Sequence, residues 1–257
     1  MSFPGSVLLN QGDIYKQSAT QIHPLGTRGY TRDGRVFRYS RNGGVALVRG
    51  KLVQSAVNIT GVDTTLLGTT HYATTNSTRI QVMPSTKGLF STADAYKDGL
   101  LYVSDSAGST GQGQYVQIYS HTKSTSTATA VQIYLRQGDV LTKGLTTKAE
   151  LGVQKNRYDD VVVYPVAATG IPLGVPPRAI TIAYYFWLQT WGPACVLCGA
   201  ALTYDNVCVP STAATGTFLK MSTKSTATGT FERPRLGHAL EVGAAGEYTL
   251  VELMLAP

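Results

Sequence analysis

The chain has 257 residues, 22 Lys or Arg against 15 Asp or Glu, a formal charge of +7, and only 14% charged residues. An average soluble domain carries about 25%, so hydroxyls must solvate this surface: 33 Thr and 17 Ser, with 27 Gly and 15 Tyr, point to strands and turns. Five Glu exclude helix bundles and coiled coils, and 43% hydrophobic content excludes global disorder.

The start, Met1 to Ser6, has no cationic or sustained apolar stretch and does not read as a secretory signal. Residues 1–50 form a basic segment in which Lys16, Arg28, Arg32, Arg35, Arg38, Arg41 and Arg49 face only Asp13 and Asp33. Asp33-Gly34 lies between two alternating runs, a strong hairpin signal. A two-residue turn there predicts that Arg28, Tyr30, Arg32, Arg35, Phe37 and Tyr39 line one side. Arg beside Tyr and Phe suits a protein partner, where these residues supply hot spots. A phosphate backbone with stacked bases is the weaker reading, and a plain solvated hairpin the neutral one.

Residues about 50 to 95 are Thr-rich, with short strands expected at 51–59 and 78–83, a turn at 84–88, and no assignable chemistry. The sequons at Asn58 and Asn76 are what a Thr-rich chain yields by chance. A strand is expected at 99–104 and a flexible glycine-rich loop at 108–113, with no helix following it to hold an anion. The tetrapeptide Val-Gln-Ile-Tyr occurs at 116–119 and 131–134, predicting a hairpin whose Val and Ile face one side and whose Gln and Tyr face the other.

A boundary is expected near 145–160, followed by strands at 161–164, 179–190, 194–203, 216–221, 236–242 and 247–254. The uncharged stretch 179–202 is long enough to span a bilayer. Its alternation, Gln189, Thr190 and Gly192-Pro193 instead predict two buried strands joined by a turn, with no membrane partner. Cys195-x-x-Cys198 has redox or zinc spacing but no second pair, so Cys195, Cys198 and Cys208 read as buried thiols. Adjacent Asp159 and Asp160 on a strand would point to opposite faces, which defeats shared acid/base work or metal binding. His23, His71, His121 and His238 show no ligand spacing, and the Ser-x-x-Lys at 120–123 lacks the helix it needs. No catalytic residue, metal site or cofactor is assigned, and the chain reads as a non-enzyme.

Several stretches resemble the capsid decoration, or cement, proteins of tailed bacteriophages. They are His23 to Thr27 with Asp33 to Tyr39; Gly99 to Ser104 with Gly111 to Tyr115; Tyr158 to Val162; Pro172 to Val175 with Tyr185 to Pro193; and Gly237 to Leu240. The resemblance implies a structural virion protein that binds the outer capsid surface and stabilises it, with the major capsid protein and itself, as a homotrimer, for partners. A fibre, tail or other receptor-facing virion protein is the alternative. The fold expected is all-β: a basic N-terminal arm with a hairpin (1–50), an antiparallel sandwich or barrel domain (51–157), and a small C-terminal β-barrel or sandwich (158–257). Arg28, Tyr30, Arg32, Arg35, Phe37, Arg38, Tyr39 and Arg41 are the candidate capsid contacts.

Overall fold

The computed structural model describes residues 5–57, 73–84, 88–104, 110–146, 149–221 and 233–257, with the backbone of 65–66. His71, the 58–60 sequon, residues 85–87 of the expected turn, and Gly108 with Ser109 lie outside the described residues. The protein is all-β and its sheets are open rather than closed barrels. Its chain divides into two compact units, 1–57 with 157–257, and 58–156. The second is therefore an insertion into the first, and these limits differ from the three consecutive segments expected.

The first unit contains β1 (Ser6–Leu8), β2 (Gln17–Ser18), β3 (Arg28–Tyr30), β4 (Val36–Arg41) and β5 (Val53–Gln54) before the insertion. After it come β12 (Val162–Val163), β13 (Pro172–Gly174), β14 (Tyr185–Leu197), β15 (Val207–Pro210), β16 (Phe218–Lys220), β17 (Gly237–Ala239) and β18 (Tyr248–Met254). Nine strands form a mixed sheet in the order β1-β3-β4-β14-β18-β17-β15-β16, with β2 also paired to β14. The basic segment is thus part of this sheet and not a separate arm, because β4 pairs with β14 from Arg41↔Tyr185 to Val36↔Trp191.

The hairpin register departs from expectation by one residue. Thr31 N donates to Arg35 O at 3.0 Å and Gly34 N to Thr31 O at 3.1 Å, so Arg32, Asp33 and Gly34 form a three-residue loop. Gly34 takes the left-handed φ of +86° that such a loop requires. Arg28 then opposes Arg38, Gly29 opposes Phe37 and Tyr30 opposes Val36. A slip of one residue moves a strand's side chains to the other face: Arg28, Tyr30 and Arg38 share one side, while Phe37 and Tyr39 turn inward and are buried.

The segment 179–202 also differs. Gly192-Pro193 makes no turn; β14 runs 13 residues through it, with a bulge between Gln189 and Trp191. There, at Trp191, the strand exchanges β4 for β18 as its partner, and Pro193, without an N–H, lies two residues on, opposite Glu252. Buried Gln189 and Thr190, uncharged polar residues in an apolar run, serve the bulge. The Gln189 amide donates to Pro193 O at 2.8 Å, and Thr190 Oγ1 donates to Ala256 O at 2.6 Å.

A three-stranded sheet, β12-β5-β13, holds the root of the insertion. Val53 pairs with Val163 and Gln54 with Val162, so the strands just before and just after the inserted unit are neighbours. Val53, Leu173 and Val161 pack with Phe186 and Leu188 of β14 in one buried cluster.

The inserted unit has β6 (Thr65–Leu66), β7 (Arg79–Val82), β8 (Leu100–Val103), β9 (Tyr115–His121), β10 (Val131–Leu135) and β11 (Glu150–Gln154), in the order β6-β11-β8-β9-β10-β7. All of its pairings are antiparallel. The Val-Gln-Ile-Tyr copies sit on β9 and β10 as expected, their Val and Ile buried with Ile80, Leu101, Leu151 and Val153.

Candidate functional site

The eight residues singled out in the hairpin do not form one surface. Phe37 is fully buried and Tyr39 nearly so, in a cluster with Leu9, Ile14, Leu25 and Trp187, which removes both rings from the outer surface of the hairpin. Gly29 permits this packing, since a Cβ there would meet Leu9 Cδ1 at 2.6 Å and Trp187 Cζ3 at 2.8 Å.

Arg41 is a clamp: its Nε bonds Asp159 Oδ1 at 2.5 Å and its Nη2 meets Asp160 Oδ1 at 2.8 Å. Asp160 has φ +51°, a left-handed kink rather than a strand, so the adjacent carboxylates converge where alternation predicted divergence. Burial alone would lower the Arg41 pKa, but the hydrogen bond and charge of Asp159, with Asp160, hold it above its ordinary value. Arg38 reaches Pro257 O at 2.6 Å and is otherwise half-enclosed. Arg35 bonds Asp33 at 2.9 Å and Gln11 at 2.7 Å, with its guanidinium 5.9 Å from the Phe37 ring centroid. Arg28, Tyr30 and Arg32 remain outward, Arg28 lying 5.7 Å over the Tyr30 ring, and neither Arg28 nor Arg32 has an ion pair among the described residues.

What the hairpin builds instead is the floor of a cavity. Residues 7–23 cross over β4 and β14 and enclose about 480 Å³, bounded by Val7, Leu8, Leu9, Asp13, Lys16, Gln17, Ser18, Ile22 and His23 above Tyr39, Tyr185 and Trp187. The rings lock one another: Tyr39 stacks on Tyr185 at 5.9 Å and meets Trp187 edge-on at 5.1 Å, with His23 5.2 Å from Tyr39. Tyr39 Oη accepts the Ile22 N–H at 3.1 Å, which fixes the rim to the floor. Burial pushes the Tyr39 phenol above and the His23 imidazole below their ordinary pKa values. Strand periodicity gave no hint that His23, Tyr185 and Trp187 meet, because their neighbours come from separate parts of the chain.

Beyond the bulge, one face of the β14–β18 ladder is partly exposed: Trp191 opposes Met254, Pro193 opposes Glu252, Cys195 opposes Leu250, and Leu197 opposes Tyr248, whose hydroxyl donates to Arg49 O at 3.3 Å. Met254 is 49%, Tyr248 45% and Leu250 43% exposed, and Cys195 is exposed beside them. Cys195 therefore departs from the expected burial, while Cys198 and Cys208 conform to it. Cys198 follows the end of β14 and is buried while Cys195, within the strand, is exposed, so the two thiols do not share a face. Burial pushes the Cys208 thiol up to about 12, with Cys198 adding to the rise. Among the described residues no group of three or more His, Cys, Asp or Glu is placed to hold a metal, and no helix is long and apolar enough to cross a membrane.

In the inserted unit, the sheet face opposite the core presents Tyr115, Tyr119 and Tyr134, exposed by 73%, 60% and 39%, between Gln81, Gln117 and Gln132. Arg79, opposite Tyr134, borders an open polar cleft with Thr74, Thr75, Asn76, Ser77 and Thr78. No family model, curated protein or solved structure matches this chain.

Proposed function

We propose that this chain is a structural virion protein that binds the outer surface of a tailed-phage capsid and stabilises it, without catalysis. The observation that carries the reading is the exposed apolar group Cys195, Tyr248, Leu250 and Met254 on the β14–β18 ladder, with Glu252 among them. An apolar patch with a polar neighbour suits a protein partner. The major capsid protein is that partner, and trimeric self-association through the same kind of contact accompanies it. On this reading the first unit is a sandwich-like body, and its N-terminal hairpin grips as part of the sheet. The test mixes purified full-length protein with heads lacking it. Wild type should sediment with the heads and retard DNA release on heating, and Leu250→Asp with Met254→Asp should weaken attachment at least tenfold. Wild type remaining in the supernatant overturns the reading.

A receptor-facing fibre or tail role is the second reading, favoured by the Tyr and Gln face of the inserted unit, a composition that suits adaptable recognition. Immunogold labelling of intact particles distinguishes the two: label on tails supports this reading, label over heads the first.

A further inference from the structure

We infer that the cavity over Tyr39, Tyr185 and Trp187 is an anchor pocket that seats one aromatic side chain of an extended, acidic segment of the shell protein, with that segment lying along the free edge of β1. The identity of the partner rests on the capsid reading above; the chemistry of the pocket does not. At about 480 Å³ the cavity falls within the ~300–1,000 Å³ range of binding pockets.

Its rim exposes Ile22 (64%) and Leu8 (45%) beside the exposed Lys16–Asp13 ion pair. The polar groups around it are mostly engaged already. Gln17 donates to Thr181 Oγ1 at 3.2 Å and accepts from Thr181 N at 3.0 Å, and Asp13 takes Lys16 Nζ at 2.7 Å and Asn10 N at 3.0 Å. An aromatic ring entering the cavity would pack against Val7, Leu9, Trp187 and Tyr185.

The segment's backbone and charge follow from β1. This strand is the last in the sheet order, and its only ladder among the described residues runs parallel to β3. Among the described residues no strand pairs with its other edge, and an edge of that kind accepts an added strand. Ser6 pairs with Arg28, and Arg28 and Arg32 have no carboxylate partner among the described residues, while Lys16 is neutralised by Asp13. Charge complementarity therefore selects Asp and Glu around the anchoring ring. A single strand of nucleic acid would also answer the cations and could stack on the same rings, so oligo-dT is titrated beside the peptides, and its binding as tightly as the Phe peptide overturns the acidic-segment assignment.

The probes are three peptides, acetyl-Glu-Asp-Phe-Glu-Asp-amide, its Phe→Ala counterpart, and the version with Lys in place of each acid, titrated into full-length protein. Trp191→Phe leaves Trp187 as the only indole and makes its emission the readout. The first peptide should shift that emission saturably, the other two should bind at least tenfold more weakly, and Ile22→Asp should bind at least tenfold more weakly at an unchanged melting temperature. Equal binding of the Phe and Ala peptides, or undiminished binding to Ile22→Asp, overturns the anchor. Equal binding of the Lys version overturns the acidic assignment. If Ile22→Asp attaches to heads as wild type does, the pocket inference fails and the capsid reading stands. If the Phe peptide binds but wild type does not attach to heads, the shell protein is overturned as the partner while the anchor chemistry holds.

Discussion

The two units solve the same problem, covering a β-sheet, with different kinds of interior. The inserted unit encloses one contiguous apolar cluster built almost wholly of Val, Ile, Leu and aromatic residues from neighbouring antiparallel strands. The larger unit divides its apolar residues into three clusters and buries polar ones between them. Asn42 donates to Thr181 O at 2.9 Å, Gln54 donates to Thr169 at 2.8 Å, and Gln189, Thr190 and the Arg41 clamp do comparable work. A polar group in a core stabilises only one arrangement, the one that satisfies it. The larger unit therefore depends on pairings between residues far apart in sequence, and the smaller on local alternation.

That contrast can be broken most directly by deleting residues 1–50. The loss removes β4 from β14 along with Tyr39 and the rim of the aromatic cavity, so the larger unit should unfold completely while the inserted unit keeps its structure. Amide hydrogen exchange by mass spectrometry should show protection surviving only within 73–154, and protection persisting in β14 and β18 would contradict the dependence described here.

A smaller effect is expected from Gly237→Ala. Gly237 has φ +151°, and a Cβ there would stand 1.7 Å from the backbone oxygen of Glu252 on the paired strand β18. The clash is with main chain and cannot be relieved by a rotamer, so a cost of about 3–5 kcal/mol is expected. Urea titration followed at Trp187 and Trp191 should show an earlier transition, and an unshifted midpoint would count against the ladder geometry.

The smallest effect tests a buried histidine of the inserted unit. His121 accepts the Tyr96 N–H on Nε2 at 3.1 Å and bonds Thr122 O through Nδ1 at 2.8 Å, so the neutral ring is satisfied at both nitrogens. Burial pushes its pKa below the ordinary value of 6.5, more than the Thr122 carbonyl and the Asp94 charge restore. Unfolding releases the ring to its ordinary pKa, so the unfolded chain binds the extra proton. Stability is therefore complete above about pH 6.5 and declines below it, by at most about 1.4 kcal/mol per pH unit, until the folded-state pKa is passed. His23 in the larger unit is shifted in the same direction by its partial burial. Hydrogen exchange on β9 and β10 between pH 7 and 5 should report this, and His121→Gln should flatten it.

The same contrast explains what was legible in the sequence. Where structure follows from alternation along one strand, the residues announced it: Val116, Ile118, Val131 and Ile133 point inward and the intervening Gln and Tyr outward, as their spacing requires. Where it depends on a count or a distant partner, they did not. Asp33-Gly34 marks a turn under either loop length, but the loop of three rather than two reverses Phe37 and Tyr39. Gly192-Pro193 signals a break in any strand, yet a bulge stabilised by Gln189 and an exchange of partners accommodates it. Arg41 looked like surface charge because its carboxylates lie more than a hundred residues downstream. The aromatic cavity escaped for the same reason, since its walls and floor are assembled from three separate stretches.

The short β5–β12 ladder has an evolutionary and practical meaning. Because Val53–Val163 and Gln54–Val162 pair within the larger unit itself, the two cut ends of that unit are held together whatever lies between them. Residues 58–156 thus behave as a replaceable cassette: a lineage can exchange the module at this joint without redesigning its host, and an engineer can graft a foreign domain or a tight turn there and keep the host sheet intact.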